Sequence, residues 1–197
     1  MLKTRIRKWC LLLLLLGCCM GVQAQYSMGN TGLLNIPTAD MQKAGTFMGG
    51  GNYLPNGMTP FNFNTGNYFV NITFLSFLEL SYRCTLLKTT RYDGKKGYFQ
   101  QDRSLSARIR PIEEGKYHPA IVIGTNDPFK DTGTNYFATI YGVLTKGFSI
   151  AKGDRLALTA GYYLPLNKHS LQDGPFGGIS YSTAFCREMT VIAESDS

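Results

Sequence analysis

Six charged side chains fall at even spacings that would set them on shared faces of extended chain. They are Glu79 and Arg83, Arg108 and Arg110, and Glu188 and Glu194. Opposed acids and bases lining a narrow lumen set the field that a passing charged polymer feels. The same groups could instead pair with one another and fix strand register, since small barrels fill their interiors with side chains. The segment from Gly29 to Asp40 carries a second pattern. Gly29 and Gly32 tolerate positive φ, Asn35 and Pro37 mark a bend, and Asp40 could cap a short turn. That segment reads as a plug or partner contact, or as an ordered lead-in to the first strand. Tyr53, Phe61 and Phe63, with Asn62 and Asn64 interleaved, offer aromatic faces and amides suited to stacking on sugar rings. An interfacial girdle or a turn is the alternative for these aromatics.

Catalytic chemistry is poorly served. His118 and His169 lack the paired spacing of a zinc site. Asp127, Asp131 and Asp173 fall in Gly-bearing connections whose spacing matches no calcium loop. There is no Gly-x-Ser-x-Gly, phosphate-binding loop or Cys-x-x-Cys. The expectation is a protein that is not an enzyme, with no cofactor and no metal.

The elements that must position these residues alternate with a period of two. Leu78, Leu80, Tyr82, Cys84 and Leu86 oppose Glu79, Ser81, Arg83 and Thr85. Leu105, Ala107 and Ile109 oppose Ser104, Ser106 and Arg108. Leu156, Leu158, Ala160, Tyr162 and Leu164 oppose Arg155, Thr159 and Gly161. Met189, Val191 and Ala193 oppose Glu188, Thr190 and Glu194. Less regular strands are expected at Thr46–Leu54, Gly66–Leu75, Pro119–Thr125, Asn135–Phe148 and Gly177–Phe185. Turn residues such as Asp93-Gly94 and Lys152-Gly153-Asp154 separate them. Nine strands without crossover helices make an antiparallel meander.

The polar face is rich in Asn, Ser, Thr and Gly rather than Lys and Glu. It therefore reads as a hydrated lumen, and the Tyr-, Phe- and Leu-rich face reads as a wall against lipid. Tyr53, Tyr68, Phe69, Tyr136, Phe137, Tyr162 and Tyr163 lie near strand ends, as an interfacial girdle would. The fold expected is all-β: an antiparallel up-and-down transmembrane β-barrel of about 8–10 strands, complete or incomplete. A soluble periplasmic β-domain is the alternative.

Residues 1–24 look like a secretory signal. A basic start (Lys3, Arg5, Arg7, Lys8) precedes an apolar run to Leu16 and a Val22-Gln23-Ala24 exit. Lipidation at Cys18 is the competing possibility. Residues 25–45 then form a periplasmic or plug-like lead-in, and residues 46–197 the barrel. The formal charge of the 197-residue chain is +7. Four of its twenty basic residues lie in the leader, which has no acid. Sixteen bases against thirteen acids leave +3, too little for a nucleic-acid partner read from bulk charge. Of five cysteines, only Cys84 and Cys186 follow the leader, and both are expected as free thiols.

The stretch Met28-Gly-Asn-Thr-Gly-Leu-Leu-Asn-Ile-Pro-Thr-Ala-Asp40 resembles the start of the YjbH family of exopolysaccharide-biosynthesis outer-membrane proteins. Further similarities are Phe77-Leu-Glu-Leu-Ser-Tyr-Arg83, Asp102-Arg103-Ser104, Tyr117-His118-Pro119-Ala120, Tyr136-Phe137-Ala138 and Gly177-Gly-Ile-Ser-Tyr181, the last leading to Ala193-Glu194-Ser195-Asp196. The resemblance implies an outer-membrane β-barrel of a Gram-negative bacterium, tied to polysaccharide production or export. The implied partners are outer-membrane lipid, the exopolysaccharide and other export proteins. It supplies no catalytic residue. Members of the family continue with further strands after the Ala-Glu-x-Asp stretch, so a truncated barrel or surface scaffold is a further expectation.

Overall fold

The computed structural model describes residues 26–55, 64–90, 93–128, 136–150, 153–185 and 189–196. Nine strands form one antiparallel sheet in chain order: β1 (Thr46–Leu54), β2 (Thr65–Leu75), β3 (Leu78–Thr90), β4 (Lys96–Ile112), β5 (Ala120–Asn126), β6 (Thr139–Ser149), β7 (Arg155–Pro165), β8 (Gly174–Ser182) and β9 (Thr190–Ser195). All nine expected strands are present. Their limits moved most where alternation is weakest. The stretch 96–103 is polar, yet it extends β4 because the far end of β3 pairs with it, through an irregularity at Leu87/Lys88. β8 begins at Gly174, earlier than expected. Pro175 is tolerated as its second residue, at the strand's entry, where a missing ladder donor costs least. No helix among the described residues is long and apolar enough to cross a membrane, which says nothing of strands.

Odd strands begin at one rim, the near rim, and end at the far rim. Near-rim connections are residues 76–77, 113–119, 150–154 and 183–189. Far-rim connections are 55–64, 91–95, 127–138 and 166–173, longer on average although 91–95 is short. β1 and β9 run in the same direction. No Cα of one lies within 8 Å of the other, so the sheet is an incomplete barrel. An odd number of further strands would be needed for an all-antiparallel closure.

The sheet is polar inside and apolar outside over β2–β4. Glu79, Arg83 and Arg108 are 0%, 3% and 1% exposed, whereas Leu80, Tyr82 and Leu105 are 40%, 39% and 40% exposed. A soluble domain buries the opposite set.

The inward face is not uniformly polar, however, and here the structure corrects the expected hydrated lumen. On β5–β8 the inward residues Ala120, Val122, Tyr141, Val143, Tyr163 and Phe176 pack with Leu33, Ile36 and Ala39 of the lead-in into an apolar core, and Ile192 of β9 packs against it. Phe69 and Tyr163, expected in a girdle, also point inward and are buried. Both leave the outer face because they share parity with Asn67 and Thr159. Tyr53, Tyr68 and Tyr162 are exposed on the outer face. Cys84 is a free, buried thiol, and Cys186 lies outside the described residues.

A candidate functional site in the lumen

The lead-in, residues 26–45, runs through the concave side of the sheet from the far rim to the near rim. Its far-rim end is Tyr26, whose hydroxyl lies 3.3 Å from that of Tyr163 and accepts a hydrogen bond from Gln172 Nε2. Gln172 Oε1 in turn accepts from Asn126 Nδ2 (3.1 Å) and Thr139 Oγ1 (3.2 Å). A tight hairpin follows, with Gly32 bridged to Pro37 and Leu33 N–H donating to the Ile36 carbonyl (3.0 Å). Only glycine fits at 32, because a Cβ there would stand 2.5 Å from the Ile36 carbonyl oxygen. Gly29 has φ +91°, and a Cβ there would meet Phe69 at 2.8 Å.

Thr31 and Asn30 face the polar strands while Leu33, Ile36 and Ala39 face the apolar ones. The segment is therefore amphipathic in the same sense as the surface that wraps it. Glu79 receives Thr31 N–H and Thr31 Oγ1–H at 2.8 and 2.9 Å, and Asn71 Nδ2 at 2.8 Å. Arg108 Nε lies 3.4 Å from Glu79 Oε1. Arg108 also donates to the carbonyls of Thr31 (2.7 Å), Thr38 (3.0 Å) and Asp40. A buried ion pair is costly unless its remaining valences are satisfied. Here the lead-in backbone, the Thr31 hydroxyl and Asn71 satisfy most of them, and Arg108 Nε is left without a hydrogen bond.

Secondary contacts tie the rest of the segment. Asn71 donates to Gly29 O and Asn67 to Ser27 O (both 3.0 Å), and Ser81 to Asn30 (2.6 Å). Arg83 meets Met28 Sδ and lies over the Phe137 ring at 4.5 Å. Thr145 accepts Ala39 N–H (2.8 Å). On β9, Glu194 receives Leu34 N–H, Asn35 N–H and Asn35 Nδ2 at 3.1, 2.8 and 2.9 Å.

At the near rim, Arg155 bridges Asp40 (3.1 Å) and Glu114 (3.3 Å), and Lys146 adds a contact to Glu114 (3.3 Å). Partial burial alone would raise the Glu114 pKa. The Gly147 N–H, Lys146 and Arg155 outweigh it and hold the carboxyl below the usual carboxylate range.

Of the charged residues singled out from the sequence, Glu79, Arg83, Arg108 and Glu194 converge on the lead-in. Arg110 does not reach the lumen. The register shifts between Ile109 and Ile112, which turns Arg110 to the near rim against Ser76 O and Glu113. Glu188, Phe61 and Phe63 lie outside the described residues, and Tyr53 sits on the outer face. Gly29, Gly32, Asn35, Pro37 and Asp40 all belong to the lumenal segment. Sequence reasoning passed over Thr31, Asn67, Asn71, Ser81 and Thr145. The two asparagines and Ser81 were visible as inward positions of alternating strands. Thr31 carried no signal apart from its place between two glycines. Among the described residues no cluster could hold a metal ion.

Together these features define an inside-out antiparallel sheet wrapped around its own N-terminal segment, with no assembled nucleophile or metal centre among the described residues. The family model for the exopolysaccharide biosynthesis protein YbjH matches residues 24–165, and the chain belongs to this YjbH family. The match covers the lead-in and strands β1–β7, which ties the protein to exopolysaccharide biosynthesis. No curated protein and no solved structure matches the chain.

Proposed function

We propose that the protein is a non-enzymatic outer-membrane β-barrel that serves exopolysaccharide production or export, with residues 26–45 as an internal plug. The observation that carries this reading is the inverted sheet. Ionic and amide side chains are sealed inside while Leu, Ile and Tyr stand exposed on the outside. Such a surface is stable against hydrocarbon and a liability in water. The far-rim connections, longer on average, would face outward and the near-rim turns the periplasm.

Separating inner and outer membranes from cells expressing a tagged chain tests it. The protein should sediment with the outer membrane and migrate faster on gels when unheated. Recovery as a free periplasmic monomer overturns the reading in favour of a soluble β-domain. A second reading, a scaffold barrel with no transport role, is favoured by the filled lumen and the unpaired edges of β1 and β9. The two part on phenotype: loss of a conduit lowers secreted polymer, and loss of a scaffold leaves its amount unchanged.

A further inference from the structure

The inward face of β2–β4 offers more hydrogen-bonding groups than the lead-in takes up. Asn71 Oδ1, Thr73 Oγ1, Thr85 Oγ1 and Ser104 Oγ are buried without a hydrogen-bond partner among the described residues. The lead-in has spare groups of its own, Asn30 Nδ2 and Gln42 Nε2. Buried polar atoms between surfaces built only for each other find partners. Unmet groups on both sides mark a fit that is good without being exclusive.

The contacts that are made show what else would fit. Glu79 takes one donor on each carboxylate oxygen from a single residue, Thr31 N–H at 2.8 Å and Thr31 Oγ1–H at 2.9 Å. A vicinal diol presents the same pair of adjacent donors. Arg108, on the neighbouring strand, needs acceptors and finds the carbonyls of Thr31 (2.7 Å), Thr38 (3.0 Å) and Asp40. A hydroxyl both donates and accepts, so a run of sugar hydroxyls meets acid and base alike. On the apolar side of the lumen the Tyr163 and Phe176 rings lie 4.2 Å apart, with Tyr141 edge-on to Tyr163. Aromatic faces of this kind suit the apolar faces of pyranose rings. Glu79 and Arg108 offset each other's charge, so a net charge on the ligand beside them would go uncompensated in the interior.

We infer that the inward face of β2–β4 is a binding track for an uncharged, hydroxyl-rich glycan chain, and that the lead-in occupies this track in competition with it. The inference rests on the reading that the protein serves exopolysaccharide production or export. The lead-in is then an autoinhibitory occupant as well as a filling. Glycan binding and release of residues 26–45 are one exchange, and each opposes the other by the same factor.

Hydrogen–deuterium exchange of the full chain in detergent micelles, followed on peptides from residues 26–45, tests the competition. The probes are neutral gluco-, manno- and galacto-oligosaccharides, with oligogalacturonate as their charged counterpart. At least one neutral probe should speed exchange of 26–45 saturably while β6 and β7 keep their protection. Thr31→Ala weakens the occupant and should lower the half-maximal probe concentration about tenfold. Asn35→Ala, at the hairpin tip, should act in the same direction and serves if Thr31→Ala fails to fold. Thr85→Val and Ser104→Ala break no described side-chain hydrogen bond and should raise that concentration about fivefold. Opposite signs for lead-in and wall variants are the mark of competition, which a purely structural lead-in does not produce. No saturable response to any neutral probe, or a response that the wall variants leave unchanged, would overturn the track. A response to oligogalacturonate alone would overturn the uncharged assignment. A chain whose loss lowers secreted polymer, yet which binds no neutral probe, keeps the proposed function and loses the track.

Discussion

Arg108 and Glu79 face each other at 3.4 Å from adjacent strands with no exposure to solvent, and the backbone of residues 31–40 hydrogen-bonds to both, while Arg108 Nε has no hydrogen bond beyond this approach to Glu79. The pair is thus a socket for the lead-in more than a strut between β3 and β4. Removing one partner strands a charge in the interior. Glu79→Ala should cost about 3–5 kcal/mol of unfolding free energy in detergent or vesicles. Arg108→Met should cost a similar amount, because three lead-in carbonyls lose their donor. The double variant should be less destabilised than the sum by more than ~1 kcal/mol, the mark of direct coupling. Additive losses from denaturant titrations would mean that the two residues act separately.

Seating of the lead-in also depends on missing side chains. Gly29 and Gly45 share a positive φ, +91° and +80°, but only Gly29 is crowded, with Phe69 at 2.8 Å from an added Cβ. Gly45→Ala should cost about 1–2 kcal/mol, from backbone strain alone. Gly29→Ala should cost more, and it should open the segment 26–45 to limited proteolysis while the strands stay protected. Equal protease resistance of the two variants would show that Phe69 yields easily and that the close approach is not what holds the segment.

The near-rim cluster should respond to acid. The folded Glu114 pKa lies below its ordinary value, so its contribution is present above the unfolded pKa of about 4.3 and disappears as pH falls through the lower folded value. Glu114→Gln should lower stability by about 1 kcal/mol at pH 7, a modest figure because the group is partly solvated. The difference from wild type should shrink toward zero as the pH is taken below that folded value. A difference that persists unchanged into strong acid would place the effect in packing rather than charge.

Much of the sheet was legible because period-two alternation survives inversion: Leu78 to Leu86 reads as a strand whichever face meets water. Which face is buried was legible only from the kind of polar residue, Asn71, Ser81 and Ser106 rather than Lys or Glu. The apolar half of the lumen was not legible. Val122, Tyr141 and Val143 are inward residues on strands whose outward residues, Ile123, Ile140 and Leu144, are equally apolar. With both faces greasy, alternation carries no sign. The lead-in showed its bends through Gly32 and Pro37, but its partners lie 40 to 160 residues away in sequence. No local pattern announces that Thr31 sits on Glu79. Arg110 was misplaced because a one-step register irregularity leaves no trace in composition.

A charge placed on the outer wall separates hydrocarbon from water as its surroundings. Leu158 is 42% exposed at mid-height on β7, and its neighbour Ala157 points inward with 2% exposure. In water, Leu158→Arg replaces an exposed apolar side chain with a solvated one and should change stability by no more than ~0.5 kcal/mol. In a bilayer the same change near the midplane should cost about 2–4 kcal/mol. Ala157→Arg, driven into the packed interior, should be severely destabilising in either setting and serves as the internal standard. Reversible unfolding in vesicles should therefore rank Leu158→Arg clearly below wild type and above Ala157→Arg. A Leu158→Arg chain as stable in vesicles as wild type would mean that the apolar wall does not meet lipid, and its exposed leucines would then require a protein partner.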